Sequence, residues 1–273
     1  MNLLKTFEVT IDHTNKRLKA FDLEDSKSQI TILENIAKEE GLEKIILFQK
    51  ELEEINYLYD QGFINEGKID GFFDGESAHL LSKYITEERQ VSDNQQEEDE
   101  IITTILTQNK AILDNQLSDS YNIRNATDED IPQIIEVFSK VFETYPTPMN
   151  DEEYIKKAIN SNLDMAVVEN SQNAIVGLSS AEIDFTNNNA EITDCATLPS
   201  ERGKGLMNQL IQHLEDKMKQ KDVVNLFSIA RARSFGMNKV LYNLNYKYRG
   251  RLINNVHIAG SWENMNIWVK KID

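Results

Sequence analysis

One cysteine, Cys195, in 273 residues excludes an internal disulfide framework, and four scattered histidines show no metal-ligand spacing, so no metal is expected. No apolar run approaches the length of a membrane span, which argues against a membrane partner. Lys5 and Glu8 interrupt the N-terminal stretch where a signal peptide needs its apolar segment, so a cytoplasmic location is expected. Positive charge is scarce: 29 Lys and Arg against 46 Asp and Glu give a net charge of −17. Nucleic acid phosphates would be repelled by such a surface, whereas a cationic small substrate suits it, as does plain solubility. What is present, 40% hydrophobic and 27% charged residues, is ordinary for a globular chain long enough for one large or two modest domains.

Glycine and proline are also missing from residues 86–120, an acidic stretch that divides the chain unequally. Ile101, Ile102, Ile105, Leu106, Ile112 and Leu113 recur there on one helical face, behind an acidic run at 97–100 that suits a helix N-terminus. This reads as a linker carrying a docking helix, with 87–98 mobile, between units 1–85 and 121–273. In the first unit, 44–48, 63–69 and 78–85 read as strands, and Leu52, Ile55 and Leu58 as a helix face. In the second, 121–124 is a strand. Thr127 to Pro132 then supply cap, acidic first turn and early proline for a helix through Ile134, Ile135 and Phe138. Tyr145 and Pro146 must be extended or turned, and strands follow at 165–169 and 174–183. The units echo each other: Leu58, Tyr59 and Asp60 match Leu241, Tyr242 and Asn243 at an offset shared by Phe63 and Tyr246, Gly67 and Gly250, and Ile69 and Leu252. A duplicated strand, helix and hairpin unit is the expectation.

Residues 190–218 carry the strongest functional signal: a strand, a glycine-bearing turn and an amphipathic helix in immediate succession. Across Arg202-Gly203-Lys204-Gly205 the glycines let backbone N–H groups approach an anion, at the positive end of the following helix. Gly205 after Lys204 is not the Gly-Lys-Ser/Thr of a P-loop, and Asn208 stands where a dinucleotide fingerprint needs its third glycine. Leu206, Met207, Leu210, Ile211, Leu214 and Met218 form one apolar stripe, which is core.

The turn resembles the R/Q-x-x-G-x-G/A pyrophosphate cradle of the GNAT acetyltransferase family, with Arg202 first, Gly205 at the first glycine position and Met207 departing from the final Gly/Ala. The resemblance implies an α/β fold with a GNAT-type mixed sheet flanked by helices. It also implies acetyl-CoA as co-substrate, held by Ala196, Thr197, Leu198, Arg202, Gly203, Lys204, Gly205, Leu206 and Met207. Residues 1–85 would then be a smaller, degenerate half of such a domain, lacking the turn and unable to hold coenzyme A. Its role would be packing, substrate closure or dimerisation.

A primary amine must lose its proton before it attacks a thioester. With an alkyl ammonium titrating near about 10.4, reaching the neutral form near neutral pH costs roughly 4 kcal/mol unaided. Strict alternation puts Ile192, Asp194 and Ala196 on one strand face and Glu191, Thr193, Cys195 and Thr197 on the other. Asp194, among small and apolar neighbours, is the first candidate for base or amine anchor, or it braces a loop; Glu191 is the second. The family often supplies a Tyr to protonate the leaving thiolate, and Tyr242 stands at that place in a segment similar to the family's L-Y-E-K-x-G-F, with Asn245 for the usual Gly. Cys195 has no nearby His to make it a nucleophile.

Longer runs at 193–199, 230–238 and 254–268, together with Tyr145 and Pro146, resemble the β-lysine N-acetyltransferases. That family acetylates the terminal amine of β-lysine to give Nε-acetyl-β-lysine, a compatible solute, beside a lysine 2,3-aminomutase that supplies the substrate. On this resemblance Asp194 and Glu263 meet amines, Asn254, Asn255, Arg231 or Arg233 meets the carboxylate, and Tyr145 lines the substrate site. Arg231 and Arg233 can equally face the adenosine phosphates, and Asn254-Asn255 can be a connecting turn. The alternatives are another diamine, polyamine or amino acid as acceptor, or a coenzyme-A-binding sensor without turnover.

Overall fold

The computed structural model describes residues 7–50, 55–112, 117–143, 147–258 and 260–272. Strands β1 (Glu8–Asp12) and β2 (Arg17–Phe21) precede helix α1 (Ser26–Glu39), β3 (Lys44–Gln49), α2 (Ile55–Asp60), β4 (Ile64–Phe73) and β5 (Glu76–Tyr84). Helices α3 (Glu87–Gln90) and α4 (Gln95–Thr107) lead to β6 (Tyr121–Asn125), α5 (Ile131–Val141), α6 (Glu152–Ile159), β7 (Leu163–Asn170), β8 (Ile175–Asp184) and β9 (Asn189–Thr197). Then come α7 (Leu206–Gln220), β10 (Asn225–Arg231), α8 (Phe235–Asn243), β11 (Lys247–Ile258) and β12 (Ser261–Lys271).

All twelve strands among the described residues join one sheet in the order β1-β2-β3-β5-β4-β11-β12-β10-β9-β8-β7-β6. The first ten positions mirror each other about the β4–β11 joint. The antiparallel pairs β1·β2, β3·β5 and β4·β5 answer to β8·β9, β10·β12 and β11·β12, and parallel β2·β3 answers to parallel β9·β10. Even the irregularities correspond. Register shifts fall between Asn65 and Gly67 and between Ile69 and Phe73 in β4, and between Tyr248 and Gly250 and between Leu252 and Val256 in β11. These positions share the offset that relates Gly67 to Gly250 in the sequence.

Burial explains the layers. Leu210, Ile211, Leu214 and Met218 of α7 pack with Leu241 of α8 and Ile105 of α4 on Ile192, Leu226 and Trp268. On the opposite face Ile134, Val137 and Phe138 of α5 and Ile155 of α6 cover Val167, Leu178 and Ala196. In the N-terminal half, Leu33 of α1 and Leu58 of α2 cover Leu18, Ile45, Leu47 and Leu81. A further core, Phe48, Phe72, Phe227, Leu252 and Ile267 among its members, has strands from both halves closing on each other.

Residues 87–98, expected to be mobile, are instead held. Arg89 is buried, donates to the Asn15 carbonyl at 2.8 Å, pairs with Glu43 at 3.1 Å and lies over the Trp262 ring. Glu98 is also buried and accepts from Asn264 at 2.6 Å. An acidic composition hid these contacts because their partners come from the β1–β2 turn, the residue before β3, and β12. Of the stripe expected on the docking helix, Ile102 and Ile105 are buried and Leu106 and Ile112 exposed, while Leu113, like Leu52, lies outside the described residues.

Candidate active site

Strands β9 and β10 pair only from Asn189 to Glu191 and from Asn225 to Phe227; beyond that they separate. The β10-facing backbone groups of β9 after Glu191 therefore have no ladder partner there, and a cleft opens between 192–195 and 228–231, floored by Ile258 and Met265. At one end it meets an open groove of about 700 Å³, lined by Phe142, Thr197, Arg202, Gly203, Gly205, Met207, Asn208, Arg231 and Met237 among others.

This groove fits acetyl-CoA. Gly203 and Gly205 have φ of 78° and 77°, and a Cβ built on either meets no heavy atom within 4 Å, so the turn presents bare backbone to open space. Gly205 caps α7 and brings its unpaired N–H groups to the groove. Thr197 Oγ1, Asn208 Oδ1 and Arg231 Nε, all on groove residues, are buried without a hydrogen-bond partner among the described residues. Such orphans call for an occupant.

The expected cofactor residues fall around this groove in different ways. Thr197, Arg202, Gly203, Gly205, Leu206 and Met207 line it. Arg202 Nε donates to the Thr197 carbonyl at 3.2 Å, and Lys204 Nζ turns to Tyr121 Oη and Glu201, each at 2.8 Å. Ala196 is in the core under α5, and Leu198 packs partly buried between the two C-terminal cores.

Alternation along β9 breaks at Asp194, and the expected face assignment is corrected there. The β8–β9 register slips between Leu178 and Ser180, leaving one extra residue in β9, and Asp194 has φ of 49°. Ile192 and Cys195 therefore pack toward the α7 side, whereas Ala196 lies in the α5 core. Asp194 is 5% exposed, borders the cleft and accepts from Ser180 Oγ at 2.6 Å.

At its other end the cleft borders, through Ile229, a cavity of about 480 Å³ between the two halves. Lys19, Phe21, Phe48 and Phe72 come from the N-terminal half, and Glu182, Glu191, Phe227 and Ile229 from the C-terminal half. The halves are tied there by Asn189, donating to the Phe72 carbonyl at 2.5 Å, and by Phe72 packed 5.7 Å from Phe227. Burial, with Glu182 and Asp194 nearby, pushes the Glu191 carboxyl up to about 7 against the opposing pull of Lys19 and Arg17. Burial, reinforced by Arg17, brings Lys19 down to about 8 against Glu191, Asp12 and Glu182. Both side chains keep an open edge on the cavity while protein surrounds the rest of them. Sequence reasoning missed Lys19, Phe21 and Glu182. The available signal was the placement of Lys19 and Phe21 on the strand face opposite Leu18 and Ala20.

Several expected site residues lie elsewhere. Tyr242 Oη donates to the carbonyls of Gln108 (3.0 Å) and Leu106 (3.4 Å), because Met237 and Val240 form the groove face of α8 and Tyr242 points off it. Asn254, at φ 43°, spends its amide on the carbonyls of Arg89 and Val91. It sits at an irregularity inside β11 rather than at a connecting turn. Asn255 is buried, with its carbonyl accepting from Arg17. Glu263 is 3% exposed and accepts from Arg231 Nη2 at 2.9 Å, so it holds an arginine that reaches groove and cleft. Tyr145 lies outside the described residues. Burial raises the Cys195 thiol to about 12, which keeps it protonated. No helix among the described residues is long and apolar enough to cross a membrane.

Comparison with known proteins agrees with this geometry. The profile of the Acetyltransferase (GNAT) family matches residues 131–237. The chain is 40% identical over 265 residues to the N-acetyltransferase YodP of Bacillus subtilis (strain 168), covering 96% of this chain and 95% of that one. It is 35% identical to a beta-lysine N(6)-acetyltransferase of Methanosarcina mazei, covering 77% and 85%. Among solved structures, a ribosomal-protein-S5-alanine acetyltransferase from Vibrio fischeri shares the fold over 58% of this chain and 96% of its own, with a TM-score of 0.50 and 20% identity. A glycine turn capping a helix, a splayed strand pair and full-length similarity to named N-acetyltransferases converge: the chain belongs to the GNAT acetyltransferase family and is an acetyl-CoA-dependent N-acetyltransferase.

Proposed function

We propose that this enzyme acetylates the terminal amine of β-lysine, giving Nε-acetyl-β-lysine. The observation that carries this reading is the cavity between the halves, where aromatic walls surround five carboxyl groups and two ammoniums; Asp22 and Lys50 pair with each other and Asp184 accepts from Asn187, which leaves Glu182, Glu191 and Lys19 facing the cavity beside the exposed Glu8. β-Lysine carries two ammonium groups and one carboxylate, the complementary set. Similarity to the Methanosarcina mazei protein supports the same substrate.

Bound acetyl-CoA supplies the thioester. Glu191 takes the ammonium proton, being a carboxyl raised to about 7 at the cavity wall with no hydrogen bond or ion pair to another described side chain. Asp194, whose carboxylate is engaged by Ser180, anchors the amine at the bulge. Arg231, steadied by Glu263, lines the passage to the groove. Residues 1–85 form a degenerate acetyltransferase lobe, a reading supported by the mirrored strand order, that closes over substrate; 86–120 joins it to the catalytic domain at 121–273. The product serves as a cytoplasmic compatible solute, and a lysine 2,3-aminomutase supplies the substrate.

The test is thiol release from acetyl-CoA with β-lysine, α-lysine, ornithine and spermidine, with product regiochemistry by NMR. β-Lysine is expected to give the highest kcat/KM, with acetylation at the terminal amine. A clear preference for another amine, or acetylation at the β-amine, overturns the reading.

A further inference from the structure

Cations near the substrate cavity are mostly committed. Lys50 pairs with Asp22 at 3.1 Å and Glu76 at 3.4 Å. Arg17 pairs with Asp12 at 2.9 Å and also donates to the Asn255 carbonyl. Arg231 is held by Glu263 on the far side of the cleft. The Lys19 side chain, by contrast, lines the cavity and enters no ion pair or hydrogen bond with another described residue. Glu191 and Glu182 across from it are equally uncommitted. Glu8, which also lines the cavity, is exposed to solvent; a folded chain rarely leaves three largely enclosed ionisable groups facing one cavity without direct partners unless something else completes them.

Resting on the β-lysine reading, we propose that Lys19, from the lobe without a cofactor turn, binds the substrate carboxylate and so makes the enzyme select an amino acid over a plain diamine. The sign of the charge decides the role: an ammonium repels both substrate amines and attracts only the carboxylate. Those amines are left to Glu182, Glu191 and Asp194. The N-terminal half thus supplies one end of the substrate site, and strands β2 and β9 meet across the ligand.

The experiment compares β-lysine with pentane-1,4-diamine, its decarboxylated counterpart, in the wild-type protein, Lys19→Met and Lys19→Arg. Acetyl-CoA affinity by calorimetry serves as the control for folding. Wild-type preference for β-lysine tests the substrate reading by itself; its loss in Lys19→Met tests the residue. KM for β-lysine is expected to rise about 30-fold in Lys19→Met. The KM of the diamine should be unchanged or lower, and Lys19→Arg should restore most of the preference. Removing the ammonium also alters Glu191, but that change bears on both amines alike, so the ratio isolates carboxylate recognition. An equal loss on both amines, with a shifted pH profile and intact acetyl-CoA binding, would overturn the proposal and leave Lys19 as a tuner of Glu191. Unchanged discrimination would overturn it as well.

Discussion

Glu191 draws its chemistry from its surroundings. Burial and the neighbouring carboxylates Glu182 and Asp194 favour its neutral form, while Lys19 and Arg17 favour the charged one, and burial prevails. A base must be ionised to accept a proton, so kcat/KM is expected to fall as pH drops below about 7, where Glu191 is protonated. Carboxylate capture should weaken as pH rises through about 8, where Lys19 loses its proton. These limbs belong to the coupled pair rather than to either residue alone. Glu191→Gln should lower kcat about 100-fold and remove the acid limb, leaving acetyl-CoA affinity intact. A pH–rate profile that keeps its acid limb would move the role to Asp194. The sequence ranked Asp194 first because a carboxylate among apolar neighbours stood out; that Ser180 engages it, and that Glu191 lacks such a partner, depends on strands that only folding brings together.

At the scale of elements, the turn before α7 was the most legible part of the site. Its properties are local: glycine at positive φ, a helix beginning at Leu206 and an apolar stripe beneath. Gly205→Trp is expected to strain the turn and fill the groove, abolishing acetyl-CoA binding by calorimetry while α7 stays folded by circular dichroism; undiminished binding would remove the cofactor from this groove. The β9 bulge was not legible. Alternation assumes an unbroken ladder, and the extra residue at Asp194 becomes visible only against β8. The direction of Tyr242, toward the Leu106 and Gln108 carbonyls, was not legible for a related reason, since helical spacing gives faces but not which face meets the groove.

Across the whole molecule, the halves meet where β4 and β11 pair at Gly67 and Gly250. A Cβ on Gly250 would lie 2.2 Å from the Glu66 carbonyl oxygen, so the joint requires glycine there. Beside it Lys44, Ser82 and Tyr84 surround the buried Glu66 carboxylate, which also accepts from the Ile253 N–H at 2.8 Å, while Lys44 reaches the Ile253 carbonyl at 2.8 Å. Every member of this network is hydrogen-bonded, which is the condition for burying charge without large penalty. Gly250→Val should destabilise the protein by about 3 kcal/mol in chemical denaturation, through strain and overpacking at the joint. Since the proposed substrate cavity draws on both halves, amine turnover should fall with it. A stable Gly250→Val variant with unchanged turnover would mean that the joint has room the structure does not show.

The sequence by itself determined what short-range physics governs: strand and helix periods, the glycine turn, the offset linking Gly67 to Gly250, and the family resemblance those features carry. Tertiary structure alone decided that Lys19 faces Glu191, that their burial draws both toward neutrality, and that Asn254 and Tyr242 donate to neighbouring backbone carbonyls. Periodicity reports which way a side chain points along its own strand or helix. Proximity between residues far apart in the chain, and the desolvation that follows from it, exists only once the sheet has closed.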